Sequence, residues 1–177
     1  MAENLNYAAS GKCANNSDAN CAKYGRLYDW ATAMNLPSSC NSSSCASQVS
    51  AKHRGICPSD WHIPSYADWN VLMKFVSGCS DNMRCDGAGT KLKATSGWFN
   101  NDNYKGLDMY GFSALPGGRG YSDGSFDNVG TGIGLWWSAS EFNSNSAYDW
   151  YMFYGADFVI RTYNDKSTLF SVRCLQD

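Results

Sequence analysis

Apolar positions separate this chain into three stretches of different rhythm. The strongest helical signal runs from Ser65 to Ser77, where Trp69, Leu72, Met73 and Val76 recur at i, i+3, i+4 and i+7. Ser65 supplies an N-cap, Asp68 completes a capping box three residues on, and Pro64 precedes them. A shorter helix is predicted over Tyr28 to Asn35, with Trp30, Ala31 and Met34 inward and Pro37 ending it. The serine-rich stretch Pro37 to Ser50 is poor in apolar residues and reads as a surface excursion. From Ala88 to Gly134 glycines are dense and no period persists, and so long an irregular stretch in a compact domain points to function or to a ligand. The tail alternates as strands: Leu135 to Ser140, Ala147 to Tyr154, Phe158 to Tyr163 and Leu169 to Leu175, with Asn164-Asp165-Lys166 as a hairpin turn between the last two. Helices first, then irregular loops and a short antiparallel sheet, is an α+β order.

The 177 residues make one domain, and 14 Lys plus Arg against 16 Asp plus Glu leave a net charge of -2. No basic cluster is present, so nucleic acid is not an expected partner. No apolar run approaches the roughly 18 residues a membrane helix needs, so no membrane insertion by this domain is expected. Aromatic residues are 15% of the chain, enough to bury a sizeable core.

Eight cysteines change the picture most. An even count in a small chain indicates disulfides and an oxidising compartment. Zinc competes weakly, because only Cys40 and Cys45 have a ligand-like spacing and nothing completes a four-ligand set. The spacings favour three local staples on polar loops, Cys13–Cys21, Cys40–Cys45 and Cys79–Cys85, leaving Cys57–Cys174 as a long-range tie. Met1-Ala2-Glu3-Asn4 has neither the basic start nor the apolar stretch of a secretory leader, so the expectation is a mature domain or a segment of a longer exported protein.

Motif matches for catalysis are poor. Gly120-Tyr121-Ser122-Asp123-Gly124 fits G-x-S-x-G, yet both histidines, His53 and His62, precede Ser122, against the order Ser, acid, His of α/β-hydrolases. Gly130-Thr131-Gly132-Ile133-Gly134 lacks the spacing and context of a dinucleotide fingerprint. Asn101 to Gly106 hints at a calcium loop, but Lys105 occupies a ligand position and Phe112 replaces the closing glutamate. His53 and His62 read as satisfied, partly buried imidazoles, and no two carboxylates stand out as a glycosidase pair.

Alternation in Ala147 to Tyr154 puts Tyr148, Trp150, Met152 and Tyr154 on one face and Asp149, Tyr151 and Phe153 on the other. The face with the charge, Asp149, is expected to look outward. An exposed sheet face of Tyr, Phe and Asn suits recognition, because rigid aromatics give contact area at low entropy cost and amides adapt.

Several blocks follow a known pattern in order: Asn4-Leu5-Asn6-Tyr7, Tyr24 to Trp30, Cys57 to Ser65, Gly111 to Arg119, Trp136 to Glu141 and Phe170 to Cys174. Over nearly its full length the chain resembles the Fibrobacter succinogenes major paralogous domain, a family similar in fold to C-type lectins and to the formylglycine-generating enzyme. The resemblance implies a disulfide-stapled α+β domain with its termini together, two helices, a small twisted sheet and long loops, and it supports the Cys57–Cys174 pairing. It also implies a secreted or surface-attached bacterial module that binds a polysaccharide or another cell-surface ligand and is not an enzyme.

Two fold relatives sharpen the expectation. Glu141-Phe142-Asn143 and Tyr163-Asn164-Asp165 faintly resemble the lectin calcium motifs, lacking their proline and tryptophan, so Glu141, Asn143, Asn164 and Asp165 are the candidate ligands if calcium is bound; no other cofactor is expected. The chain is also similar to variable proteins of diversity-generating retroelements, which bind protein ligands. Asn, Tyr, Ser and Asp, whose codons are adenine-rich, supply 13 of the 30 residues from Glu141 to Phe170. That resemblance turns Phe158, Ile160, Thr162 and Asn164 outward beside Asp149, Tyr151 and Phe153, with Asn143 and Asn145 at the loop and Val159 and Arg161 facing in. The formylglycine-generating relative implies an oxidoreductase with reactive cysteines, for which eight paired cysteines leave none.

Overall fold

The structure is a computed structural model that describes residues 1–79 and 83–177; Ser80, Asp81 and Asn82 of the predicted Cys79–Cys85 loop lie outside the described residues. Its helices are α1 (Asp18–Tyr24), α2 (Trp30–Met34), α3 (Tyr66–Ser77) and α4 (Ala88–Leu92). Its strands are β1 (Trp61–His62), β2 (Arg84–Cys85), β3 (Arg119–Gly120), β4 (Phe126–Asp127), β5 (Ile133–Glu141), β6 (Ser146–Phe153), β7 (Val159–Asp165) and β8 (Leu175–Gln176). An antiparallel sheet of order β2-β7-β6-β5 forms the centre, and β1-β8 and β3-β4 make two short antiparallel pairs. The fold is α+β, as the element order predicts.

α3 follows its sequence closely. The Ser65 side chain accepts from Asp68 N, Asp68 returns the bond to Ser65 N, and Gly78 ends the helix in the left-handed region. α2 begins two residues later than expected, because Tyr28 is drawn into a β-bridge with Phe170 and Asp29 caps the helix. α1 and α4 were not expected. α1 is short and polar and starts within the Cys13–Cys21 loop, and α4 has Gly89 within it, so neither shows a legible stripe.

The central sheet is covered on both sides. Trp136 and Trp137 are adjacent on β5 and point to opposite faces, and both are fully buried. One core holds Tyr28, Trp30, Ile63, Trp137, Phe170 and Val172; the other, beneath α3, holds Trp69, Met73, Trp136, Trp150, Met152 and Val159. The last predicted hairpin is absent. The turn falls at residues 165–168, and the chain beyond it makes single bridges to Gly120, Tyr28 and Trp136 before entering β8. It threads between elements, so its apolar residues are buried without a continuous ladder.

All four expected disulfides form: Cys13–Cys21, Cys40–Cys45, Cys57–Cys174 and Cys79–Cys85. They indicate an oxidising environment. Leu5 N donates to Val172 O at 2.8 Å, so the two ends of the chain lie together. Among the described residues no helix is long and apolar enough to cross a membrane.

The irregular stretch after α3 is held by its backbone. Gly89 N donates to Asp157 O, and a Cβ at Gly89 would stand 2.5 Å from Phe158 O, so only glycine permits this approach to the β6–β7 connection. Next along the chain, the buried Lys93 ammonium donates to the carbonyls of Tyr104, Phe153, Tyr154 and Ala156 at 2.8–3.4 Å. Burial lowers its pKa to about 8, against the pull of Asp157.

Candidate functional site

The β6–β7 hairpin carries the candidate residues. Its register pairs Tyr148 with Tyr163, Asp149 with Thr162 and Tyr151 with Ile160. On the α3 side Trp150 stacks on Trp69 at 5.1 Å and 10°, which closes that face over the middle of the strands. Cover ends at the first residue of α3. Tyr66 packs on Tyr148 at 4.9 Å, and beyond it Phe142 and Tyr163 emerge, stacked at 3.9 Å and 12° and 43% and 52% exposed. Phe142 also meets Tyr148 edge-on at 5.4 Å. Arg161 donates to the Tyr66 hydroxyl and lies over the rings of Tyr66 and Tyr148. Phe142, Tyr148, Arg161 and Tyr163, together with Met83, Ile160 and Thr162, line a cleft of about 210 Å³.

The sequence-predicted residues are distributed along the whole hairpin. Ile160 and Thr162 line the cleft. Asn164 is half-buried and donates to Asp149 at 2.9 Å. Asn143 accepts from Asn145 N and Ser146 N at 2.8 and 2.9 Å, which fixes the β5–β6 turn and leaves both asparagines at the surface. Tyr151 and Phe153 are half-buried against the first core, and Phe158 lies under the Arg84 guanidinium at 4.0 Å. Seven strand steps of about 3.3 Å separate Ser146 from Phe153, roughly 23 Å. Asn143 and Asn145 therefore cannot share one small ligand with Phe153 and Phe158. Val159 is buried, and Arg161 is half-buried on the same face.

Asp149 does not look outward. It is 0% exposed, paired with Trp137 and Thr162 across the sheet, and its Oδ1 has no hydrogen-bond partner. The charge was a misleading sign of exposure because the first core covers this face. Burial pushes its carboxyl up to about 7, against the Asn164 N–H. Between the unfolded value of 3.8 and that value the native state holds a proton that the unfolded chain has lost, so stability falls as pH rises through the window. Asp149→Asn removes the ionisation. Its melting point relative to the parent is expected to climb between about pH 4 and pH 8, a relative gain of roughly 4 kcal/mol. A pH-independent difference in chemical denaturation would refute it.

The calcium candidates are engaged elsewhere. Glu141 accepts from Lys166 Nζ at 2.9 Å, Cys45 N at 2.7 Å and Ser44 Oγ at 2.8 Å. Burial pushes its carboxyl up, but these bonds outweigh that and hold it below the ordinary glutamate range. Asp165 caps the following turn through Ser167. Among the described residues no group of three His, Cys, Asp or Glu could hold a metal. Ser122 lies in the exposed β3–β4 turn, not on a strand-to-helix elbow. His53 Nε2 is bonded to Met34 O, and His62 Nδ1 to Asp177.

Sequence reasoning missed Phe142, Tyr148, Tyr163 and Arg161 as a group. The signal was present in parity, since Tyr148 and Tyr163 share a face once the hairpin register is known. Without the register, either face of β6 qualified.

The model of the Fibrobacter succinogenes major domain matches residues 1–176. No curated protein and no solved structure matches the chain.

Proposed function

We propose that this chain, which belongs to the Fibrobacter succinogenes major domain family, is a C-type lectin-like, non-enzymatic binding module that recognises a saccharide at the Phe142–Tyr163 end of the β6–β7 hairpin. The exposed stacked pair carries the reading. A soluble domain gains nothing from leaving two ordered aromatic rings in water beside a cleft, whereas a ligand with flat apolar faces and hydroxyl rims gains both stacking area and polar contacts. The rings are already packed on each other and on Tyr148, so binding costs little side-chain entropy. Thr162 and Arg161 supply polar groups at the cleft wall. A secreted or surface-displayed location fits four disulfides. The absence of free cysteines supports the non-enzymatic reading over formylglycine-generating chemistry.

A polysaccharide and glycan panel, run with calcium and again with chelator, tests the proposal. Saturable binding is expected, and Phe142→Ala or Tyr163→Ala is expected to weaken it at least about tenfold while leaving the melting point nearly unchanged. Silence across the panel, or platform variants that bind as well as the parent, would refute saccharide recognition at this end. Binding to protein ligands in its place would support the variable-receptor reading.

A further inference from the structure

A second cleft, of about 480 Å³, lies where the segment Leu5-Asn6-Tyr7 meets residues 54–58 and the end of α2. That volume is within the roughly 300–1,000 Å³ of small-ligand sites. Leu5, Ile56 and Pro58 give it apolar walls, and Asn6, Tyr7, Asn35 and Arg54 add polar groups. It shares no lining residue with the aromatic cleft.

Both segments are held before any ligand arrives. Leu5 N donates to Val172 O, and Tyr7 N to the Tyr28 hydroxyl, each at 2.8 Å. Ile56 N donates to Ala33 O at 3.0 Å, and the Cys57–Cys174 bridge anchors the next residue. Gly55 has a φ of +52°, and a Cβ there would stand 2.3 Å from Ala33 O, so only glycine lets this loop close on α2.

The polar side chains at this cleft are uncommitted. Among the described residues the amides of Asn6 and Asn35 and the Tyr7 hydroxyl have no protein partner, and Tyr7 is 47% exposed. Arg54 Nε donates to Cys57 O at 3.0 Å, which orients the exposed guanidinium and leaves both its amino groups without a protein acceptor. Arg54 also has no ion pair and is the one charged side chain among the described residues of the lining.

We infer that this cleft binds an acidic saccharide through a uronate residue, whose carboxylate accepts from the Arg54 amino groups. The sugar face packs on Tyr7, and its hydroxyls bond Asn6 and Asn35. A planar guanidinium matches a carboxylate with two parallel bonds. Amides donate and accept, as sugar hydroxyls require, and the fixed walls keep the entropy cost of binding low.

Calorimetric titration of the whole chain with short oligomers of galacturonate, mannuronate and glucuronate, each beside its methyl ester, tests this. At least one acid is expected to bind saturably and shift the Gly55 and Ile56 amide resonances. Its ester, which keeps the ring and loses the charge, is expected to bind at least about tenfold more weakly. Arg54→Met and Tyr7→Leu are each expected to weaken that acid about tenfold, with melting points near the parent's because both side chains are exposed. Phe142→Ala is expected to leave uronate binding unchanged, so failure here and failure at the aromatic cleft are read separately. The inference is overturned if no uronate saturates, if the esters bind as tightly as the acids, or if Arg54→Met binds as well as the parent. It is equally overturned if acetate or inorganic phosphate binds as tightly as the best uronate, which would mark an anion site without sugar specificity.

Discussion

Replacing Cys57 and Cys174 together by alanine is expected to lower the free energy of unfolding by about 4–5 kcal/mol and the melting temperature by roughly 10–20 °C. The bridge spans 117 residues, so its loss releases the largest loop in the unfolded chain. It also pins β8 to β1, whose short ladder pairs His62 with Leu175 and Trp61 with Gln176. The Cys40–Cys45 bridge closes a loop of only 5 residues, and its removal is expected to cost about 2 kcal/mol. Denaturant midpoints of the two variants, measured side by side, check the ordering. Equal losses would show that loop length does not govern these staples.

The parts of the fold legible in the sequence are those fixed by local signals. Ser65 and Asp68 define the start of α3 whatever it packs against, and cysteine spacing restricts pairing wherever loops are polar. β5, β6 and β7 were located to within two residues because their apolar runs are bounded by turn residues. Elements that depend on remote partners were not legible. Tyr28 left its expected helix because Phe170 offers it a backbone bridge, and residues 169–175 gave up their hairpin to three different neighbours.

The same division holds for the site. Composition and alternation single out Glu141 to Phe170 as the candidate ligand face, but the orientation expected for Asp149 is inverted. Alternation reports two faces and not which is wet, and here both faces of β6 meet a core over most of its length. Exposure is decided at the strand end by where α3 begins, a fact about Tyr66 that no pattern within β6 contains. Two buried lysines, Lys93 and Lys166, were equally invisible, because a lysine on a loop reads as surface until the carbonyls around it are known.

Lys166 gives the second large effect. Its ammonium is fully buried, over the ring of Trp30 at 4.6 Å, and donates to Glu141 Oε1 and Ser144 O, each at 2.9 Å, and to Ser43 O at 3.3 Å. Lys166→Met leaves the Glu141 carboxylate buried with only Cys45 N and Ser44 Oγ, and is expected to destabilise by about 3–5 kcal/mol. The double variant Lys166→Met with Glu141→Leu is expected to recover a substantial share, because the pair is needed mainly to neutralise itself. A double-mutant cycle in denaturant reads this directly; additive losses would mean that the two side chains act apart. The pH dependence has a defined sign. Glu141 titrates below its unfolded value, so its contribution is full above the ordinary glutamate range and is lost as pH falls through the folded pKa. The pair also holds the turn that presents Phe142, since Ser144 O accepts from the Lys166 ammonium. Saccharide binding in Lys166→Met is therefore expected to weaken even at temperatures where the chain stays folded, although neither partner touches the cleft.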